Sequence, residues 1–75
     1  MPPVNWDLKR AKIELSIAQL DSAHAEQHCR RLEAAGEAVS GEEKDEAIYR
    51  FTRLQLVESL ARKVLLSRIF SAKRS

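Results

Sequence analysis

The chain keeps its helix breakers out of two long stretches, and that placement leaves little choice of fold. The prolines are Pro2 and Pro3, the glycines are Gly36 and Gly41, and residues 4–35 and 42–75 contain neither. Ala, Leu, Glu, Arg and Lys dominate those stretches, which is the composition of helices. Asn5 is a good N-cap, and Asp7 places a negative charge in the first turn, where the helix dipole favours it. Gly36 suits the left-handed residue that ends a helix. Ser40 then precedes Gly-Glu-Glu, a second N-cap with Glu43 placed to complete a capping box. The expected organisation is a single domain over 1–75, with helix one at about 5–35, a turn at 36–41, helix two at about 42–71 and a basic tail at 72–75. So short a connection folds the helices back on each other. The fold class is therefore all-α, an antiparallel two-helix hairpin.

With 75 residues the chain is small enough to need help in burying a core. Disulfides within the chain are excluded because Cys29 is the only cysteine. A lone thiol fits a reducing compartment, and the opening Met-Pro-Pro-Val-Asn-Trp-Asp has neither the basic stretch nor the apolar run of a signal peptide. No apolar run approaches the roughly 18 residues needed to cross a bilayer. A soluble, cytoplasmic chain is the expectation. Hydrophobic content of 44% is too high for a disordered tail.

Helix one carries an apolar seam. Leu8, Ala11, Leu15, Ala18, Ser22, Ala25, Cys29 and Leu32 alternate spacings of three and four, and their small size points to close helix approach. A second apolar row, Trp6, Ile13, Ile17 and Leu20, lies roughly opposite. Helix two has a broad stripe of Ala47, Phe51, Leu54, Val57, Ala61, Val64, Leu65 and Ile69, widened by Leu60. Ile48, Leu56, Leu66 and Phe70 fall outside it. One neighbouring helix cannot shield both sides of either helix. Self-association into a four-helix bundle is the economical solution, and docking on a different protein is the alternative.

Chemistry-bearing residues are few. His24 and His28, four apart, share a face and could reach one ion, but a zinc site needs further ligands. No metal or other cofactor is expected. Cys29 at a seam position behaves as a small buried hydrophobe. There is no phosphate-binding loop and no nucleophile–base arrangement, so an enzyme is not expected. Arg50, Arg53 and Arg68 lie on or near the apolar stripe, where they either snorkel or pair across an interface with Glu14, Asp21 or Glu33, the alternative being contact with an acidic partner surface or phosphate. The single tryptophan and tyrosine, Trp6 and Tyr49, fall on secondary faces where aromatics anchor interfaces.

The sequence thus leads to a non-enzymatic interaction module, dimeric, that acts as adaptor, regulator or inhibitor of another protein. The expected partner and self-association surface is Trp6, Ile13, Ile17, Leu20, Tyr49, Arg50, Arg53, Leu56, Leu66 and Phe70. The alternative is weak nucleic-acid binding through the basic end of helix two, at Arg62, Lys63, Arg68, Lys73 and Arg74. No helix-turn-helix signal or interleaved stacking aromatic supports it. The acidic first half of helix two argues against attachment to an anionic membrane surface.

Overall fold

A computed structural model describes the backbone of residues 6–74 and the side chains of 6–73. It contains α1 (Trp6–Ala34), one 3-10 turn (Gly36–Ala38) and α2 (Gly41–Arg74), packed as an antiparallel hairpin. The expected cap Asn5 lies outside the described residues. Asp7 occupies the first turn of α1, and Glu42 and Glu43 that of α2.

The elbow forms as the local chemistry dictates. The Ala35 N–H donates to the Arg31 carbonyl at 3.0 Å, closing the last turn of α1. Gly36 then takes φ +61°, a conformation that costs any other residue about 1–2 kcal/mol. Val39 is extended, and the Ser40 hydroxyl accepts from the Glu43 N–H at 3.1 Å to start α2. Only the Ser40 half of the expected capping box forms, and Glu43 lines a groove with His28 and Arg50.

One boundary moves. Residues 72–74, expected as a tail, continue α2. Nothing at Ser71, Ala72 or Lys73 breaks a helix, and basic side chains favour the negative end of its dipole.

The seam of α1 packs as its spacing requires. Ala11, Ala18, Ser22 and Ala25 are buried, while Leu8, Leu15, Cys29 and Leu32 are half-buried. From α2, Ala47 is buried and Phe51, Leu54, Ala61, Val64, Leu65 and Ile69 are half-buried. Two residues depart from the expected stripe: Val57 is 50% exposed and Leu60 62%. The inward position is held by Glu58, which continues the three–four alternation of Lys44, Ala47, Phe51 and Leu54. Among the described residues no large side chain is fully buried.

The product is a rod of 60 × 16 × 13 Å. Its radius of gyration is 17.2 Å, against about 11 Å for a compact chain of this length. Its accessible surface is 6293 Å², whereas a compact 8.5 kDa protein exposes about 4,650 Å².

The two glycines should therefore behave oppositely. Gly36→Ala forces a side chain into positive φ and should lower unfolding free energy by about 1 kcal/mol. Gly41→Ala, at the helical start of α2 with open space around it, should leave stability within about 0.5 kcal/mol or raise it. Urea denaturation of both variants checks this; equal losses would remove the conformational role assigned to Gly36.

Candidate functional site

Helix packing through one seam leaves each helix two flanks and an outer edge. The flanks of α1 and α2 merge into two broad faces of the hairpin, and these differ sharply.

One face is polar and internally bonded. It carries Lys12, Ser16, Gln19 and Glu26 from α1, with Thr52, Gln55, Ser59 and Arg62 from α2, by helical spacing. Arg30 pairs with Glu26 at 2.5 Å and Arg62 with Glu58 at 2.8 Å. Ser16 and Thr52 hydroxyls donate to the carbonyls one turn back, Lys12 and Ile48, at 3.1 and 2.9 Å. Ile48 and Leu66 are its exposed apolar members.

The other face is apolar over one part of its length. Ile17 and Ala18 of α1 meet Val57, Leu60, Ala61 and Val64 of α2 around an open groove of about 350 Å³, rimmed by Glu14 and Asp21. Ile13 and Leu20 extend this surface over the outer edge of α1, and Leu56 extends it over the outer edge of α2; all three are more than half exposed. Antiparallel pairing puts residues 13–20 level with 56–64, so these side chains form one belt across the rod. Toward the turn the same face becomes polar, where Asp21, His24, His28 and Arg50 line a second groove.

Of the expected interface residues, Ile13, Ile17, Leu20 and Leu56 come together in the belt. Trp6 and Phe70 sit near the open end on opposite outer edges, with Lys9 stacked over Trp6 at 5.4 Å. Tyr49 lies on the edge of α2 under Arg53, 5.9 Å from the ring centre. Leu66 falls on the polar face, away from the belt. The ion pairs expected from Arg50, Arg53 and Arg68 to Glu14, Asp21 or Glu33 do not form; among the described residues the pairs are Glu26–Arg30 and Glu58–Arg62. Both lie one turn apart on a single helix, where a hairpin need not bring distant charges together.

Val57 and Leu60 are the belt residues that the broad apolar stripe of α2 places in the interior. Strict alternation from Ala47 would have found them, because it reaches Glu58 and leaves Val57 and Leu60 outside. The charge at position 58 obscures that register.

The remaining candidates stay apart. Among the described residues no three metal-ligating side chains gather, and His24 and His28 share their groove with a cation, Arg50. Cys29 is half-buried in the seam. Of the basic residues, Arg62 is engaged by Glu58, Lys63 lies on the outer edge and Lys73 on the polar side, with Arg68 turned away from all three by helical spacing. The side chain of Arg74 lies outside the described residues. Among the described residues no helix is long and apolar enough to cross a membrane. Compared with known proteins, the chain matches no family model, no curated sequence and no solved structure.

Glu58 gives a direct test of the packing. Its side chain is 21% exposed at an inward position, and an ion pair of this kind contributes about 0–1 kcal/mol. Glu58→Leu removes the pair but fills the seam, so thermal unfolding should show unchanged stability or a gain of up to about 1 kcal/mol. A loss above 2 kcal/mol would contradict the placement of Glu58.

Proposed function

We propose that this chain is a non-enzymatic protein-interaction module, serving as adaptor, regulator or inhibitor by docking its apolar face against protein. One observation carries the reading: Ile17, Val57 and Leu60 are exposed on one face and continue onto Ile13, Leu20 and Leu56 at its outer edges, while the opposite face is mostly polar. Leaving a large aliphatic side chain in water forgoes about 1.5–3 kcal/mol relative to burial. A contiguous patch of such residues is the usual mark of an interaction surface. The shallow grooves and dispersed titratable groups offer nothing comparable for catalysis.

Weak nucleic-acid binding by the basic end of α2 has less behind it. Arg62 is already paired, and the other cations point in different directions around the helix, so few could meet one phosphate backbone together.

The test compares the two faces. Ile17→Asp and Leu60→Asp place charges in the belt, whereas Gln19→Asp and Gln55→Asp place them on the polar face. Proteins that co-purify with the full chain should be retained by the polar-face variants and lost, by about 10-fold or more, from the belt variants. Identical recovery by all four variants would overturn the assignment.

A further inference from the structure

We infer that the belt is covered by a second copy of this chain, turned end for end, with the apolar faces of the two hairpins stacked to make a four-helix bundle. This rests on reading the face as a protein-binding surface, and it names the occupant.

Area is the first argument. Each hairpin exposes 6293 Å², an excess of about 1,600 Å² over a compact chain of 8.5 kDa. Two copies that hid such an excess would bury about 3,200 Å² in total, within the range of roughly 2,000–5,000 Å² found for obligate homodimers.

Charge decides the orientation. Leu20 and Leu56 mark the middle of the rod. Residues 21–55, the turn half, carry eight acidic and five basic side chains, a net of −3. The rest of the chain, the open half, carries three acidic and eight basic, a net of +5. Stacking two hairpins with their turns together sets like charge on like charge along the whole bundle. Reversing one copy sets each turn half against the other's open half, and complementary potentials of this kind fix register and suppress the wrong arrangement.

The belt permits that reversal. Its centre lies near Ile17 and Leu60, only about 5 Å from the middle of the rod at 1.5 Å per residue. A two-fold axis through that point, perpendicular to the helices, overlaps nearly the full length of both rods. It lays α1 on the partner's α1, with Ile17 close to the axis. Asp21 then lies about 4.5 Å along the axis, within one helical turn, from the partner's Arg10, and both residues belong to this face by their spacing from Ala18 and Ala11.

Three measurements on the full chain test the proposal. Light scattering should give twice the 8.5 kDa chain mass, and Leu60→Asp should return the chain to monomer. With Cys29→Ser as background, a short bis-maleimide should cross-link Ile17→Cys to itself between copies. It should fail with Glu37→Cys, whose turns would stand at opposite ends of the bundle. Arg10→Glu and Asp21→Arg should each weaken the dimer about 5–10-fold, and together restore it to within about 2-fold. Preferential cross-linking at position 37 would overturn the orientation. A single-chain mass at about 0.1 mM would overturn the second copy, since an obligate dimer is far tighter than that. If such a monomer still bound proteins that Leu60→Asp loses, the belt would stand as a surface for a foreign protein. If binding also ignored Leu60→Asp, the reading of the face itself would fall.

Discussion

Close approach along a row of alanines is the contact on which this hairpin depends. Among the described residues the buried ones are Ala11, Ala18, Ala25 and Ala47, with Ser22. Small side chains let two helices come near enough for backbone and Cβ atoms to pack, which gains dispersion energy from many weak contacts. The same closeness limits what the seam can hold. A large side chain at these buried positions would push the helices apart, so the larger seam residues, such as Leu15, Leu32, Phe51 and Leu54, are only half-buried and other Ile and Leu residues stand on the flanks and edges. The apolar belt is the geometric complement of the alanine seam.

From that division the two faces follow. On the polar side, i to i+4 pairs such as Glu26–Arg30 and Glu58–Arg62 keep charged groups satisfied within one helix. On the belt side, β-branched and leucine side chains occupy the equivalent positions, and the groove lined by Ile17, Leu60 and Val64 has its carboxylates, Glu14 and Asp21, at the rim. The hairpin is thus amphipathic as a unit. Each helix is only weakly so by itself, because its apolar residues point both inward to the seam and outward to the belt.

Much of the fold is legible in the residues. Breaker placement gives two helices and one elbow, and the heptad of α1 gives its seam residue by residue. Gly36 is legible because positive φ leaves few alternatives. The site was harder to read. In α1 the second row stands apart from the seam, so Ile13, Ile17 and Leu20 could be assigned outward. In α2 apolar residues occupy too many positions for periodicity alone to choose a register, and Glu58 holds the position that a hydrophobic pattern would give to Val57. Spacing locates charges on a face without saying which of them pair: Arg30 and Arg62 bond to acids one turn back on their own helices, whereas Arg50, Arg53 and Arg68 form no ion pair to Glu14, Asp21 or Glu33.

The uneven distribution of charge along the rod has an effect that acts before any contact is made. With a net of +5 on one half and −3 on the other, the molecule is an elongated electric dipole with a small net charge. Within about a Debye length, some 10 Å at 0.1 M salt, a charged body exerts a torque on it as well as a force. Against an anionic surface the open end of the hairpin swings inward and the elbow points to bulk water. Near a cationic one the alignment inverts.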